Sequence, residues 1–166
     1  MTKAKRTKVK NVKSTVVDGI KFRSTAEGIC YQLLKNNGFQ CVYEPYHIQL
    51  LPPLTPKSIK IYVPQKHRHK GVKSVTFTQR IKDIEAITYT PDFVVEFDDC
   101  VVYIEVKGFP NDAYPLRYKL FMKYLNNAAL QKPQKTFMFF EPHNQKQMLE
   151  MINVLKQYRN DKTTSN

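Results

Sequence analysis

The sequence predicts a mixed α/β domain, with helices flanking a central mixed β-sheet, on three observations. The chain has 166 residues, enough for one domain. About 42% of them are apolar, enough to bury a core. Helical and strand spacings of the apolar residues follow one another in the order helix, several strands, helix, strand, helix. That order favours one mixed sheet covered by helices.

Composition sets the predicted boundaries of this domain. Residues 1–13 are rich in lysine and are expected to form a flexible basic arm, whereas residues 160–166 are expected to be a polar tail. Residues 14–159 between them form the single predicted domain. At its start, residues 16–22 are expected to be extended, with a turn at Asp18-Gly19.

Capping residues define the first helix. Ser24 predicts its N-cap, because Glu27 follows three residues later as a capping-box partner and apolar residues then recur at helical spacing. Gly38 ends the helix. Residues 39–50 alternate well enough to predict a strand, and three prolines within 51–58 then interrupt regular structure.

The middle of the chain predicts a basic β-hairpin, inserted at about residues 57–82. Residues 60–63 and 72–77 are its expected strands, and a basic tip at residues 65–71 joins them. We expect this hairpin to project from the core.

The second half of the chain predicts strands and helices in alternation. The expected strands are residues 84–89, 91–97, 100–106 and a buried strand at 136–140. Asp98-Asp99 should form the turn of a hairpin between the second and third of these. A second helix should start near Pro115, and a last helix is marked by Met148, Met151, Ile152 and Leu155.

The charge of the chain limits its partners. The formal net charge is +13, which favours a polyanion, with nucleic acid first and an anionic membrane surface as the competitor. Eight of the 14 acidic residues lie within 83–112, between basic flanks. This pattern is compatible with a cation site facing a polyanion or with a sheet that has acidic turns.

Location follows from what the sequence lacks. No apolar run approaches the roughly 20 residues that span a bilayer, and the basic N-terminus has no signal-peptide core, so we expect a cytoplasmic protein. Three cysteines without a CxxC spacing argue against a disulfide framework and a zinc knuckle.

The predicted hairpin brings acidic residues together. If its strands pair without a break about residues 98–99, Asp92 lies opposite residue 105, so Asp92 and Glu105 become cross-strand neighbours about 5 Å apart at Cβ. Lys107, two residues after Glu105, shares its face. Paired carboxylates repel unless a cation neutralises them, and Mg²⁺ prefers oxygen ligands. Lys107 beside them could serve the attacking water in metal-assisted phosphodiester hydrolysis.

These residues resemble the PD-(D/E)XK nuclease superfamily, in which a Pro-Asp on one strand precedes an (Asp/Glu)-x-Lys on the next. Here the two motifs are Pro91-Asp92 and Glu105-Val106-Lys107. Residues 15–155 more closely resemble small phage-encoded members similar to endonuclease I, which resolve branched DNA. The motifs that carry this likeness are Ala26-Glu27-Gly28, Tyr89-Thr90-Pro91-Asp92-Phe93, Glu105-Val106-Lys107-Gly108 and the segment from Ala113 to Phe121.

The resemblance implies a restriction-endonuclease-like core and a metal-dependent endodeoxyribonuclease that acts on branched or Holliday-junction DNA. The implied catalytic residues are Glu27, Asp92, Glu105 and Lys107. Mg²⁺, with Mn²⁺ as a substitute, would be held by Asp92, Glu105 and the backbone carbonyl of Val106, with Glu27 as a further candidate. A homodimer in the cytoplasm of a phage-infected host is also implied.

Basic residues outside this motif are candidates for contact with DNA. They are Lys66, His67, Arg68, His69 and Lys70 in the hairpin, and Arg117, Lys119 and Lys123 on the second helix. The helix residues could equally solvate a helix face. Glu27 could only cap its helix, and Asp92, Glu105 and Lys107 could form a structural ion pair.

Two other functions remain open from the sequence. A nickase, a transposon-end nuclease or a restriction-like nuclease would keep the chemistry and act on duplex DNA. A non-catalytic nucleic-acid-binding module would use the acidic residues only for structure.

Overall fold

The computed structural model describes residues 13–69, 71–80, 83–108 and 114–164. The strands are β1 (Thr15–Val17), β2 (Ile20–Phe22), β3 (Cys41–Tyr43), β4 (Ile48–Leu51), β5 (Tyr62–His69), β6 (Val72–Gln79), β7 (Ile87–Tyr89), β8 (Phe93–Glu96), β9 (Cys100–Ile104) and β10 (Thr136–Phe140). The helices are α1 (Thr25–Asn36), α2 (Tyr114–Gln131) and α3 (Gln145–Thr164). The predicted mixed α/β class is therefore confirmed.

Local signals at the start of the chain place α1 as predicted. Strands β1 and β2 pair as a hairpin, and its two turn residues, Asp18 and Gly19, have φ values of 51° and 79°. The Ser24 side chain accepts a hydrogen bond from the Glu27 N–H and so caps α1. Gly28 lets α1 lie close to β1, because a Cβ at this position would come within 2.5 Å of Thr15 Cγ2.

The central sheet has the strand order β10-β9-β8-β3. Strands β8 and β9 form the predicted antiparallel hairpin, β3 pairs antiparallel with β8, and β10 pairs parallel with β9, so the sheet is mixed. The parallel pair is connected through α2. The main core lies where α1 and α3 meet the sheet. On α2, Phe121 packs against the rings of Tyr103 and Phe139.

The chain divides into two compact units. One contains residues up to His47 and from Thr90 onward, and the other is Ile48–Tyr89. The second unit contains the segment 57–82 together with β4 and β7, which pair outside the β5–β6 hairpin. The basic segment at 65–69 is not a loop tip as predicted, since the paired strands continue to His69 and Val72. Lys70 lies outside the described residues.

Other element predictions need correction. The single strand expected at 39–50 is broken between β3 and β4, because Glu44 adopts a φ of 43° and a proline follows it. In the segment 84–89, only residues 87–89 form a strand, while Ile84 makes an isolated bridge to Leu54.

The C-terminal half also differs in two places. Strand β10 is partly exposed and not buried, because it lies at the edge of the sheet. The predicted polar tail at 160–166 is helical as far as Thr164, and Asp99 anchors this last part through an ion pair with Lys162. Residues 1–12, which make up most of the predicted arm, lie outside the described residues. None of the three helices, over the residues described, combines the length and apolar character needed to cross a bilayer.

Candidate active site

The register of the β8–β9 hairpin brings Asp92 and Glu105 together at its open end. Phe93 pairs with Ile104, so the next positions outward are Asp92 and Glu105, as the sequence predicts. The Asp92 carboxylate is fixed there by the Val106 N–H, which donates to Oδ2 at 2.7 Å.

Extended backbone beyond β9 places Glu105 and Lys107 on one face. The N–H groups of Glu105 and Lys107 donate to the carbonyls of Phe140 and Pro142 at 2.9 and 3.0 Å, whereas the Val106 N–H points the other way, to Asp92. The alternation of a strand therefore continues to Lys107. On the shared face, Lys107 Nζ lies 2.7 Å from Glu105 Oε1, and the two side chains are only 11% and 13% exposed.

Glu27 is buried and takes part in the N-terminal cap of α1. Its Oε1 accepts from Ser24 Oγ at 2.7 Å, and its Oε2 accepts from the Arg23 N–H at 3.0 Å and from the Tyr43 hydroxyl at 2.6 Å. The predicted capping interaction is thus present. Its metal-binding or water-positioning role remains a prediction, and its hydrogen bonds already engage both carboxylate oxygens.

Three carboxylates and one ammonium group determine the electrostatics of the site. Burial first, then the charges of Glu105 and Glu27, raise the pKa of Asp92 well above its usual range. The Val106 N–H and the Lys107 ammonium only partly oppose this effect. The fold therefore holds Asp92 in surroundings that disfavour its charge, and a bound cation would relieve this cost.

The oxygen atoms of the candidate site suit Mg²⁺, but they provide only some of the ligands that the ion needs. Within the described ranges, no group of three or more His, Cys, Asp or Glu side chains could hold a metal ion. Asp92 and Glu105 supply two carboxylates, and the Val106 carbonyl was the predicted third donor. Mg²⁺ commonly binds through one or two carboxylates and takes its other ligands from water and substrate phosphates. The pair therefore suits Mg²⁺ that binds together with a phosphate-bearing substrate.

Sequence reasoning missed Tyr114, which lies beside Lys107. The Lys107 ammonium is 3.1 Å from the centroid of the Tyr114 ring, close enough for a cation–π interaction. The Tyr114 hydroxyl donates to Glu141, and the other oxygen of Glu141 is 3.1 Å from His143 Nε2. These groups line a cavity of about 620 Å³ that Lys107 also borders. Two sequence signals were available: its position at the start of α2 and its place in the segment from Ala113 to Phe121 that carries the resemblance.

The predicted DNA contacts are spread over two elements. Lys66 and His67 are exposed on β5, and His67 Nε2 lies 2.8 Å from Thr76 Oγ1. Arg68 and His69 are placed in β5 by their backbone register alone. The three candidate residues of α2, Arg117, Lys119 and Lys123, are exposed. Because a helix turns 100° per residue, Lys119 and Lys123 share one face, and Arg117 lies on another.

The cysteines do not offer a competing nucleophile. All three, Cys30, Cys41 and Cys100, are free thiols. Burial raises the pKa of the Cys30 thiol to about 12 and that of Cys41 to about 11. Burial also raises the pKa of Cys100. Thiolate, the reactive form, is therefore a minor species at neutral pH.

Comparison with known proteins gives one match. No curated protein and no solved structure matches the chain. A family model described as a protein of unknown function, DUF1064, matches residues 6–139, which is well over half of the sequence. The match includes Glu27, Asp92, Glu105 and Lys107. The chain therefore belongs to the DUF1064 family.

Proposed function

We propose that this protein is a metal-dependent endodeoxyribonuclease with a restriction-endonuclease-like core, of the PD-(D/E)XK type that its motifs resemble. The observation that carries the proposal is the juxtaposition of Asp92, Glu105 and Lys107 at one end of a hairpin. Three features support a catalytic role over a structural one. The pKa of the buried Asp92 carboxylate is raised, the carboxylate oxygens of Asp92 and Glu105 are suitable Mg²⁺ ligands, and the net charge of the chain is +13.

In this proposal, Asp92 and Glu105 hold Mg²⁺ together with the Val106 carbonyl. When bound, the ion supplies Lewis-acid polarisation of the phosphoryl group and activation of water. The hydrogen bond from the Val106 N–H keeps the Asp92 carboxylate oriented before the metal arrives. Glu27 contributes negative charge near Asp92, and its hydrogen bond from the Tyr43 hydroxyl ties α1 to β3.

In the proposal, Lys107 stabilises the negative charge that develops during the reaction. Its ammonium is held by the Glu105 carboxylate and by the face of the Tyr114 ring. In this position it orients the attacking water and counters the negative charge that grows on the phosphorane. A cation that is fixed before the reaction needs little reorganisation in the transition state.

The proposed substrate is branched DNA, such as a four-way junction, and the proposed assembly is a homodimer in the host-cell cytoplasm. The substrate and the location follow from the resemblance to small phage-encoded nucleases. The basic charge of the chain supports nucleic acid as the partner. Paired cuts across a branch point favour a two-fold dimer.

Cleavage of matched substrates tests this proposal. Purified protein is incubated with a labelled four-way junction and with a linear duplex of the same arm sequence, in Mg²⁺ and in EDTA. We expect paired cuts near the branch in Mg²⁺ only. Preferential cutting of the duplex would replace the junction substrate by a nickase or restriction-like activity. Tight binding without cutting, in Mg²⁺ and in Mn²⁺, would leave a non-catalytic binding module.

Tyr114 provides a prediction about how Lys107 is positioned. Replacing Tyr114 by Leu removes the ring beneath the ammonium and should lower the single-turnover cleavage rate about 10-fold, which lies within the range of a cation–π interaction. Tyr114→Phe keeps the ring and should retain most of the rate. The readout is the cleavage rate at saturating protein, with junction affinity measured separately.

Tyr118→Leu is the matched control for this prediction. Tyr118 packs against Tyr114 at 6.0 Å between ring centroids and is 38% exposed. We expect it to change the rate less than two-fold. Equal losses for Tyr114→Leu and Tyr118→Leu would show a general packing effect and contradict a specific contact with Lys107.

A further inference from the structure

The β5–β6 hairpin has two faces of different chemistry. Its register pairs Tyr62 with Gln79 and His69 with Val72, so alternate residues of each strand point to the same side. One side, which we name the aromatic face, is formed by Tyr62, Pro64, Lys66, Lys73, Val75 and Phe77. The opposite side, the polar face, is formed by Val63, Gln65, His67, Ser74, Thr76 and Thr78.

The aromatic face exposes large apolar side chains to solvent. Phe77 is 69% exposed, Val75 is 57% exposed and Tyr62 is 54% exposed. Val75 and Phe77 are alternate residues of β6, about 7 Å apart, and Tyr62 on β5 lies diagonally across from Phe77. Lys66 lies directly across from Val75. Contiguous exposed apolar surface of this kind usually marks an interaction site.

The polar face has partners within the hairpin. His67 Nε2 lies 2.8 Å from Thr76 Oγ1 across the two strands. Its other positions include the small hydroxyl side chains of Ser74 and Thr78. Of the two faces, the aromatic face is therefore the one whose side chains gain from an external partner.

The charge of the hairpin selects the chemistry of that partner. Residues 55–82 contain eight lysine or arginine residues and no aspartate or glutamate. A second copy of the same face would meet its own positive charge, whereas a nucleic acid supplies negative phosphates. Bases with an open π-face stack on aromatic side chains, and phosphates pair with lysine. In a closed duplex, the base faces are already stacked on one another.

We propose that the aromatic face binds unpaired or unstacked DNA bases, with Phe77 as the stacking platform and Lys66 and Lys73 on the flanking phosphates. The choice of DNA as the partner rests on the proposed function. The inference adds that the chain itself carries a recognition element for opened strands, such as those at a branch point. Binding of DNA at this face does not require that the protein cleaves DNA.

Binding by a cleavage-deficient chain tests the proposal. The full-length Glu105→Gln protein is titrated in EDTA with a gapped DNA that carries 2-aminopurine in its unpaired stretch, and with the fully paired duplex. Anisotropy gives the affinity at three salt concentrations, and 2-aminopurine fluorescence reports stacking. Phe77→Ala is compared with Phe77→Trp and with Thr78→Ala on the polar face.

We expect Phe77→Ala to weaken binding to the gapped DNA roughly 10-fold or more and to abolish the fluorescence change, without altering the salt dependence. Phe77→Trp should retain both signals, and Thr78→Ala should resemble the parent. Lys66→Ala with Lys73→Ala should instead reduce the slope of affinity against salt, by about 0.7 for each phosphate contact with single strands. Far-UV circular dichroism checks that every variant is folded.

Three results would overturn the inference. The first is that Phe77→Ala binds the gapped DNA as tightly as Thr78→Ala does. It could weaken gapped and paired DNA equally, which would indicate groove binding to duplex. Phe77-dependent binding to phosphatidylserine vesicles, without any to gapped DNA, would assign the face to a membrane surface. Failure of the wild-type protein to cut DNA would leave these binding results intact, so the two proposals fail separately.

Discussion

Glu105→Gln is expected to lower Mg²⁺-dependent cleavage by about a thousand-fold, in the range found when a preorganised electrostatic group is removed from an active site. The substitution keeps the size of the side chain and an oxygen that can accept from Lys107. It removes the charge that would bind the metal and hold the ammonium, which lies 2.7 Å away. The measurement is single-turnover cleavage of a labelled four-way junction.

Glu96→Gln is the matched control for this substitution. Glu96 belongs to the same hairpin and is exposed near its turn, across from Val101. We expect it to cleave at the parental rate, and we expect Glu105→Gln to bind the junction with unchanged or higher affinity in EDTA. Cleavage that persists in Glu105→Gln, or that is lost equally in Glu96→Gln, would contradict the assignment of the site.

Asp92→Asn is expected to raise thermal stability in EDTA, although it should abolish cleavage. The asparagine can still accept the hydrogen bond from the Val106 N–H, and it removes one of three clustered carboxylate charges. A gain of about 1 kcal/mol would raise the melting temperature of a domain of this size by roughly 2–4 °C. Such a gain upon loss of activity is typical of sites that hold charge for function.

The pH dependence gives this prediction its sign. The pKa of Asp92 is raised in the fold, so between its ordinary value, about 4, and its folded value the native protein binds more protons than the unfolded chain does. The contribution of Asp92 to the free energy of unfolding of the parent protein therefore falls as pH rises through that window. Asp92→Asn should be insensitive to this effect, so its advantage should grow from pH 5 to pH 8.

Addition of Mg²⁺ should make the parent protein more thermally stable than Asp92→Asn, the reverse of the order expected in EDTA. Because a ligand that binds only the native state stabilises it, Mg²⁺ should raise the melting temperature of the parent and leave Asp92→Asn nearly unchanged. Glu96→Gln should follow the parent in every condition. If Asp92→Asn is less stable than the parent in EDTA at pH 8, other groups in the fold stabilise the charged Asp92 carboxylate. The interpretation that this charge destabilises the metal-free protein would then be wrong.

The sequence alone determined the features that depend on short-range chemistry. Ser24 and Glu27 predicted the cap of α1 because the capping bonds span only three residues. The turn at Asp98-Asp99 predicted which residue faces Asp92, because the register of a tight hairpin follows from the position of its turn. The basic character of the hairpin segment was equally evident from composition.

Local sequence signals gave two wrong predictions of secondary structure. The strand expected at 39–50 is interrupted at Glu44, whose positive φ is unusual for a residue with a side chain and has no clear sequence signal. The basic segment around Lys66 was expected to be a loop tip, yet it continues as a strand. Cross-strand pairing with β6 outweighed its low apolar content.

Only the tertiary structure decided which distant residues complete the candidate site. The parallel pairing of β9 with β10 carries Glu141 and His143 towards Lys107, and α2 delivers Tyr114 to the same place. These residues are separated in sequence by up to 36 positions, and no spacing rule links them. Periodicity identifies the elements because side chains repeat locally. The order of strands in a sheet is settled by which faces can be buried together, and a pattern read along one chain does not contain that information.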